Sequence, residues 1–504
     1  MRKVLILLGV PVDDLTMPEA LDRIESFIAT SRATGKTHQI ATVNADFVVN
    51  SLRDPELRRI LQESDMATAD GMPLVWGSRL LGVSLEGRVT GADLVPALCE
   101  RAAQRGLSVY FLGARPGVAA RAAEILCERY PGLRVAGIHS PANRPLLEMD
   151  PEIIDQVREA KPDILFVAFG NPKQEKWISM HARALKVPVS VGIGGTLDMI
   201  VGVTRRAPLW MQRFGLEWAY RLLQEPQRLW KRYALDMVYF SYFYFWQLLA
   251  MRRTTPKMSI LPASDTVLVG NTAVISVKGR LDRGNQAIFI QQAEQALATT
   301  PWLVLNLAQT EFLDSSALGT FVTLSNRARS YGGGLILADV SAPIMQLLSL
   351  VKLDRFFEIQ SNIEGAIQSH HESTVAPIEK VQVQSDWQVL ASPRMLDAST
   401  TPGMIDAARK LLESNPRLVL DLSQTSFIAS AGLAGMIQLN KIAQEHGGAL
   451  RVAGATGDTL RTIQLVKLDL VLAIFSDLST ATSAPAKPTM AMASSSNPHA
   501  SVSK

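Results

Sequence analysis

The chain has little cysteine and little charge. Two of its 504 residues are cysteines, Cys99 and Cys127. Neither has a CxxC partner, which disfavours a disulfide framework or a zinc site and indicates a reducing compartment. Only 19% of the residues are charged and the net charge is +4, so we expect no nucleic-acid partner. A chain of this length is expected to form two to four domains.

Two sequence signals are also missing. The chain contains no Asp-x-Asp, so a metal ion clamping a nucleotide diphosphate would have no obvious ligands, and we expect neither a metal nor a cofactor. The basic start is followed by a short apolar run and then by "PVDD", not by a small-residue cleavage site. We therefore predict a strand rather than a signal peptide, and a cytoplasmic location.

Residues 1–204 alternate short apolar runs with helical patterns. The predicted strands are "HQIATVNA", "LSVYFLGA", "LRVAGIH", "DILFVAFG" and "VPVSVGIGG". Strands that are apolar almost throughout and alternate with helices predict a parallel sheet covered on both faces, a Rossmann-like α/β fold. Ligands bind at the carboxyl ends of the strands in such sheets.

Polar side chains and glycines follow these strands. A glycine loop ahead of a helix, as at Gly113 and Gly117, is often only a turn, although its amides can hold a phosphate. The stretch "NPKQE" could likewise be an ordinary helix cap. Because the set comes at successive strand ends of one sheet, we predict a binding site. The candidates are Thr42, Asn44, Asp70, Arg88, Gly113, Asn171, Lys173, Gln174, Gly194 and Gly195.

Residues 205–257 form a basic and aromatic segment. It carries ten Lys or Arg against three Asp or Glu. The stretch from Tyr233 to Met251 has a single charge, Asp236, and as a helix would extend about 28 Å, enough to cross a bilayer. Three alternatives stand: a helix on the membrane surface, a helix packed against protein or another subunit, and a span. Aromatic density favours the membrane surface.

The remainder contains a repeat at an offset of 115 residues. "LVLNLAQTEFLDSSALG" from Leu303 matches "LVLDLSQTSFIASAGLA" from Leu418, and "LVKLD" at Leu350 recurs at Leu465. A repeat without gaps between these landmarks predicts a duplicated small α/β domain, at 258–370 and 381–479. The tail, 480–504, is rich in Ser, Ala, Pro and Met and is predicted to be disordered.

The first 233 residues resemble the WecG/TagA/CpsF glycosyltransferases. The motifs that carry the resemblance are "TVNAD", "TADGMPLVWGSRLLG", "GRVTGADL", "FGNPKQEKWI", "GIGGTLDMIVG" and "RRAPLWMQRFGLEWAYRLLQEPQRLWKRY", in unbroken order. The resemblance implies an inverting, metal-independent hexosyltransferase that moves an N-acetylmannosamine-type sugar from a UDP donor. The implied acceptor is an undecaprenyl-diphosphate-linked sugar at the inner face of the membrane, where the enzyme would be peripheral. A homo-oligomer is kept as an alternative to a monomer.

The resemblance also implies roles for individual residues. Asp70 would be the general base that accepts the proton of the acceptor hydroxyl. Its catalytic partner would be Thr42, and Asn44, Arg88 and Gln174 would line the pocket. Charge on the departing UDP would be met by the basic segment, through Arg221, Arg228, Lys231 and Arg232. Lys231 stands where an arginine is expected, and Asp46, where the family often has Glu, is given no catalytic role.

The stretch "FLDSSALG" resembles the STAS domain of anti-sigma-factor antagonists. The resemblance implies that Ser316 is a phosphate acceptor for a partner serine kinase of the anti-sigma type, with Asp314 and Ser315 beside it. A helix N-cap alone is the alternative for these residues. The second copy has Ala429 and Ala431 in place of Asp314 and Ser316, which favours a binding or packing domain that is not phosphorylated.

We therefore expect a transferase for surface polysaccharide or wall polymer, regulated or scaffolded by tandem STAS domains. The rival hypothesis is a non-catalytic sensor of nucleotide sugars that acts as an anti-sigma-factor antagonist through those domains. A sensor does not need the general base, so the presence of Asp70 beside Thr42, Asn44 and Gln174 favours the enzyme.

Overall fold

The computed structural model describes residues 2–81, 83, 85–213, 216–224, 226–253, 264–375, 382–384, 386–398 and 400–484. The predicted tail lies almost entirely outside these residues. Contacts divide the chain into two units, residues 1–376 and residues 377–504. The first unit contains the predicted transferase region and the first repeat, and the second contains the other repeat.

A six-stranded parallel sheet forms the centre of the transferase region. The strands of this region are β1 (Val4–Leu7), β2 (Val10–Asp13), β3 (His38–Val43), β4 (Met66–Ala69), β5 (Ser108–Gly113), β6 (Arg134–His139), β7 (Ile164–Ala168) and β8 (Val189–Gly192). The sheet order is β4-β3-β8-β7-β5-β6. All residues of β5 and β7 are buried, as expected for strands covered on both faces, and the predicted fold class is confirmed.

Twelve helices belong to the same region of the described chain. They are α1 (Met17–Thr34), α2 (Ala45–Arg53), α3 (Pro55–Glu63), α4 (Met72–Leu80), α5 (Gly91–Arg105), α6 (Val118–Arg129), α7 (Glu152–Ala160), α8 (Lys173–Leu185), α9 (Thr196–Ile200), α10 (Leu209–Arg213), α11 (Glu217–Gln224) and α12 (Pro226–Arg253). Side-chain caps fix several starts: Thr16 and Glu19 form a capping box on α1, and Asn44 and Thr90 cap α2 and α5.

The predicted first strand does not join the six-stranded sheet. Instead, β1 pairs with β2 as an antiparallel hairpin. Helix α12 packs on this hairpin through fully buried Gln247, which accepts a hydrogen bond from the Leu8 amide at 3.0 Å and donates one to the Ile6 carbonyl at 3.0 Å. Tyr244, also buried, donates its hydroxyl proton to the Gly77 carbonyl. One side of the aromatic segment is therefore packed against protein.

Another side of α12 remains exposed. Leu235, Val238, Tyr242 and Phe245 recur at three- and four-residue spacing, and more than half of each side chain is accessible. No helix among the described residues is both long and apolar enough to cross a bilayer.

The first repeat is a five-stranded sheet with a short parallel pair beside it. Its strands are β9 (Ser264–Val269), β10 (Thr272–Val277), β11 (Gly279–Leu281), β12 (Trp302–Asn306), β13 (Thr310–Leu313), β14 (Gly334–Ala338) and β15 (Glu358–Gln360). Its helices are α13 (Gln286–Thr299), α14 (Ser315–Ser330), α15 (Ala342–Leu350) and α16 (Ile363–Val375). The sheet order is β15-β14-β12-β10-β9, and β11 pairs with β13.

This repeat packs directly on the β1–β2 hairpin. Helix α14 approaches β1 so closely that a Cβ on Gly319 would lie 2.3 Å from the carbonyl oxygen of Val4. A Cβ on Gly9 would lie 2.2 Å from the carbonyl oxygen of Val351. Ile6 is fully buried in the core of the repeat. The hairpin therefore packs against both the sheet domain and the first repeat.

The second unit contains the second copy of the same fold. Its strands are β16 (Gln382–Gln384), β17 (Trp387–Ala391), β18 (Met395–Leu396), β19 (Arg417–Asp421), β20 (Phe427–Ile428), β21 (Ala449–Ala453) and β22 (Ala473–Phe475). Its helices are α17 (Thr401–Ser414), α18 (Ser430–Glu445), α19 (Gly457–Leu465) and α20 (Leu478–Ser483). The sheet order is β16-β17-β19-β21-β22, so equivalent strands have the same neighbours as in the first copy. The predicted duplication is confirmed.

The two copies differ in the exposure of one apolar face, which the hairpin covers in the first copy. Val351 and Phe356 are 0% and 8% exposed, whereas their counterparts Val466 and Val471 are 41% and 61% exposed. The apolar face has been kept in both copies, and in the first it is covered by the transferase region.

Candidate active site

Asp70 lies at the carboxyl end of β4, beside the end of β3. Its amide donates a hydrogen bond to the Val43 carbonyl at 2.6 Å, which ties the two strand ends together. Gly71 follows with φ +131°, so the chain turns sharply into α4, and a Cβ at Gly71 would be 4.0 Å from that of Asn44. The Gly91 amide, at the start of α5, points to Asp70 Oδ2 at 3.4 Å.

The surroundings of Asp70 favour a base that works near neutral pH. Burial raises the pKa of its carboxyl to about 6, an effect that Arg221 opposes and Glu217 reinforces. The Gly91 amide and Arg88 act in the same direction as Arg221. At pH 7 the group is mostly ionised, and its pKa is close enough to the working pH for efficient proton acceptance.

Three arginines gather around one carboxylate, Glu217 on α11. Arg88 Nη1 lies 3.4 Å from Glu217 Oε2, and Arg221 Nη2 lies 3.5 Å from Glu217 Oε1. Arg206 Nε is 3.9 Å from Glu217 Oε1, and its two terminal nitrogens bind the carboxylate of Asp93 at 2.6 and 2.7 Å. A guanidinium cluster of this kind is suited to a diphosphate.

Thr42 and Gln174 lie on the neighbouring strands. Buried Thr42 donates its hydroxyl to the Gly192 carbonyl at 3.0 Å, which links β3 to β8. The side-chain oxygen of Gln174, 1% exposed, accepts the amides of Gly170 at 3.2 Å and Gly194 at 3.0 Å. Gln174 therefore fixes the loops that follow β7 and β8 by hydrogen bonding to both.

Glu175 completes this arrangement, although no motif in the sequence assigns it a role. Its Oε1 accepts a hydrogen bond from the side-chain nitrogen Nε2 of Gln174 at 2.7 Å. A Cβ at position 192 would come within 2.6 Å of both side chains, so only Gly192 leaves room for the pair. Burial raises the pKa of Glu175 to about 8, partly offset by the Gln174 hydrogen bond, so the carboxyl is neutral at pH 7.

We expect Glu175→Gln to raise stability by an amount that grows from about pH 4.5 to pH 8. Between about pH 4.5 and 8 the folded protein holds a proton on Glu175 that the unfolded chain releases, so stability falls as the pH rises through this window. An isosteric amide removes that loss. Thermal unfolding of the variant should match wild type near pH 4.5 and be about 5 °C higher at pH 8. An equal difference at both pH values would contradict a neutral Glu175.

The other strand-end candidates divide into two groups. Asn171 stays at the edge and donates to Asp46 Oδ2 at 3.3 Å. Lys173 instead binds Asn143 Oδ1 at 3.0 Å and the Arg144 carbonyl, in the loop after β6. The amide and the lysine of "NPKQE" therefore face different partners.

The glycine candidates lie at the carboxyl edge of the six-stranded sheet. Gly113 has φ +103°, and a Cβ there would be 2.7 Å from the Ala168 carbonyl oxygen, so β5 and β7 approach closely at their ends. Gly194 has φ +51°, and Gly195 directly precedes α9.

Of the basic residues after position 220, Arg221 alone is seen beside Asp70 among the described side chains. Lys231 is exposed and lies 5.7 Å from the Trp230 ring centroid. The side chains of Arg228 and Arg232 lie outside the described residues. In the described parts of the chain, no group of three or more His, Cys, Asp and Glu side chains could hold a metal ion.

Ser316 of the first repeat is buried, with 4% of its surface exposed. Its hydroxyl donates to Asp314 Oδ1 at 2.7 Å, and the same oxygen accepts the amides of Ser316 and Ala317. Asp314 is thus the N-cap of α14. The predicted phosphate-acceptor role stays a prediction, and in this conformation the acceptor hydroxyl has little access to a kinase.

A parallel sheet with a carboxylate and a guanidinium cluster at its carboxyl edge fits a group-transfer enzyme that acts on nucleotide sugars. The chain belongs to the glycosyl transferase WecG/TagA/CpsF family, whose model matches residues 5–254. The models "STAS domain" and "Mlab, STAS domain" match residues 263–366 and 393–473. The predicted resemblances and the hexosyltransferase class are confirmed.

Relatives of the transferase region include proteins of Bacillus and Staphylococcus species. Two are named N-acetylglucosaminyldiphosphoundecaprenol N-acetyl-beta-D-mannosaminyltransferase. The protein of Bacillus spizizenii is 32% identical over 226 residues, covering 44% of this chain and 85% of the relative. The protein of Staphylococcus aureus strain MW2 is 31% identical over 223 residues, covering 44% of this chain and 85% of the relative.

Solved structures similar to this chain include anti-sigma factor antagonists. That of Mycobacterium paratuberculosis is 20% identical with a TM-score of 0.20, covering 22% of this chain and 94% of its own. Unphosphorylated SpoIIAA is 19% identical with a TM-score of 0.19, covering 22% of this chain and 98% of its own.

Proposed function

We propose that this chain transfers an N-acetylmannosamine-type sugar from a UDP donor to a polyprenyl-diphosphate-linked N-acetylglucosamine, with inversion and without a metal ion. The observation that carries the proposal is Asp70, a partly buried carboxylate with a pKa of about 6 beside Arg88 and Arg221. The names of the relatives support the choice of sugar and acceptor.

The chemistry is a single displacement at the anomeric carbon. Asp70 accepts the proton of the acceptor hydroxyl as the hydroxyl oxygen forms its bond to that carbon. The bond between the anomeric carbon and the β-phosphate oxygen breaks, and its electron pair leaves with UDP. Attack from the face opposite the leaving group inverts the configuration.

The arginine cluster supports the departure of UDP. Arg88, Arg206 and Arg221 share Glu217 in this structure, at distances between 3.4 and 3.9 Å. A diphosphate that binds between these arginines would replace Glu217 as their partner. Its phosphate oxygens gain negative charge as the bond to the anomeric carbon breaks. Preorganised cations of this kind lower the barrier without a metal ion.

The exposed side of α12 suits a peripheral position on the inner face of the cell membrane. Leu235, Val238, Tyr242 and Phe245 form an apolar stripe, and exposed Lys231 lies one turn earlier. A helix with an apolar stripe and basic flanks lies in the interface plane of an anionic leaflet. The lipid-linked acceptor would be presented at the same leaflet.

The test is a transfer assay with the purified full-length protein. UDP-N-acetylmannosamine and a synthetic lipid-diphosphate-N-acetylglucosamine should give one UDP per disaccharide, with a β linkage and the same rate in EDTA. UDP-glucose and UDP-N-acetylglucosamine serve as matched donors. If no UDP-sugar is turned over and the chain instead captures a serine kinase, the sensor hypothesis replaces this one.

The pH dependence should report Asp70 directly. Because its carboxylate must be ionised to accept a proton, kcat/KM should be level above about pH 7 and fall tenfold per pH unit below about pH 6. The measurement is kcat/KM from pH 4.5 to 8 at saturating acceptor. A profile that is level down to pH 4.5 would exclude a base with a raised pKa.

A further inference from the structure

We propose that Arg283, a residue of the first STAS domain, is a positioning residue for the transfer reaction. It acts through Asp14 on the loop that carries Arg88. The STAS domain is then a working part of the transferase site as well as an attached module. This inference rests on the proposed function for its kinetic consequence, but its structural consequence can be measured without turnover.

The link between the domains is an ion pair with one buried member. Arg283 Nη2 lies 3.2 Å from Asp14 Oδ2, and the Asp14 side chain is 5% exposed. The other oxygen of Asp14 accepts the Glu86 amide at 2.7 Å. One carboxylate therefore joins the STAS domain to the loop after α4.

That loop leads directly to the candidate site. Two residues after Glu86 comes Arg88, which pairs with Glu217. The amide of the next residue, Val89, donates a hydrogen bond at 3.1 Å to the carbonyl of Ala69. Ala69 is the last residue of β4 and directly precedes Asp70. A shift of the Glu86 amide would therefore be transmitted to Arg88 over two residues.

Asp314 holds Arg283 in place. Its Oδ2 accepts the Arg283 amide at 3.0 Å, while its Oδ1 caps α14 through the amides of Ser316 and Ala317. The helix cap of the STAS domain and the anchor of Arg283 are thus the same side chain. The guanidinium meets Asp14 from a backbone that is already fixed.

The duplication supports a specific role for this pair. At the offset of 115 residues, the second copy has Ala398 for Arg283 and Ala429 for Asp314, although it keeps "LVKLD" unchanged. In both copies the strand pair that places these positions is the same: Leu281 pairs with Leu313, and Leu396 with Ile428. The fold therefore does not need the pair, and its presence in the copy docked on the hairpin calls for another reason.

The effect of Arg283 follows from charge. A buried carboxylate that loses its cation attracts water or changes rotamer, because an unpaired buried charge is costly. Either change weakens its hydrogen bond to the Glu86 amide and loosens the loop. A misplacement of about 1 Å at a binding arginine is enough to reduce transfer strongly.

The test compares Arg283→Gln with Arg283→Lys and with a matched control, Arg329→Gln. Arg329 pairs with Glu63 at 3.1 Å across the same interface, and Glu63 lies at the end of α3, not on the loop that carries Arg88. In the full-length protein, the Gln variant at 283 should lower kcat/KM for the UDP-sugar at least fivefold, through a higher KM together with a lower kcat, with partial rescue by Lys. Arg329→Gln should leave kcat/KM within about twofold.

Hydrogen–deuterium exchange and UDP binding test the same inference and do not require turnover. The peptide covering residues 85–90 should exchange faster in Arg283→Gln than in wild type or Arg329→Gln, and the Kd for UDP should rise. If wild type shows no transfer but exchange responds in this way, the proposed function fails and the positioning link stands. Unchanged exchange and unchanged kcat/KM in Arg283→Gln, or equal effects of both variants, would overturn the inference.

Discussion

Replacing Asp70 by Asn is expected to lower kcat about a thousandfold, because general-base catalysis is lost while the pocket keeps its shape. UDP affinity should stay within about twofold, since the guanidinium cluster is untouched. The variant should also be at least as stable as wild type. The pKa of Asp70 is raised from 3.8 to about 6, so above pH 3.8 folding is penalised by the carboxylate, and fully so above about pH 6. Steady-state kinetics, UDP titration and thermal unfolding at pH 7.5 measure the three effects.

The matched control is Asp65→Asn. Asp65 lies just ahead of β4, at its amino end, whereas Asp70 follows the carboxyl end of the same strand. It accepts the Gln39 amide and pairs with Lys36, away from the arginine cluster. Its replacement can change stability but should leave kcat within about twofold. An Asp70→Asn protein that keeps near-full kcat would remove the base from the mechanism.

Replacing Gly319 by Val is expected to separate the first STAS domain from the hairpin. The new Cβ would lie 2.3 Å from the Val4 carbonyl oxygen and 2.8 Å from its carbon, and both are backbone atoms that cannot turn aside. Overpacking of this kind should lower the free energy of unfolding by about 3 kcal/mol. Urea unfolding and limited proteolysis of the full-length protein provide the measurement.

The duplicated domain supplies the control for Gly319. The equivalent position of the second copy is Ala434, in α18, where nature already places a Cβ. Ala434→Val introduces the same side chain at the equivalent position and should destabilise clearly less than Gly319→Val. Helix propensity penalises Ala434→Val and favours Gly319→Val, so a larger loss of stability at position 319 reports packing. If both variants lose the same stability, the close approach of α14 to β1 is not what position 319 requires.

Much of the fold could be predicted from the sequence because its signals are local. Apolar runs alternating with helical periodicity specify a covered parallel sheet, and an ungapped offset of 115 residues specifies a duplicated domain. Asp70 could be placed at a strand end because the Asp-Gly turn lies between an apolar run and a helix. Even so, β4, which directly precedes Asp70, was not among the predicted strands, since "MATA" has only four residues and no β-branched run.

The surroundings of the candidate site could not be predicted in the same way. Glu217 lies 129 residues after Arg88, and Asp93 lies 113 residues before Arg206, so neither ion pair leaves a pattern in the sequence. Glu175 was visible only as part of "NPKQE". Its burial against Gly192, and hence its neutral state at pH 7, depends on how α8 packs on β8.

The sequence by itself determined the class of fold, the family, the duplicated STAS domains and the residues from which a transferase site can be made. All of these follow from local periodicity and from motifs that are contiguous in the chain. Only the tertiary structure decided that α12 packs on a hairpin through Gln247 and that the first STAS domain covers the other part of that hairpin. It also decided that Arg283 meets Asp14. These contacts join residues more than 200 positions apart, and their energy comes from close approach and desolvation, which have no signature in the order of the residues.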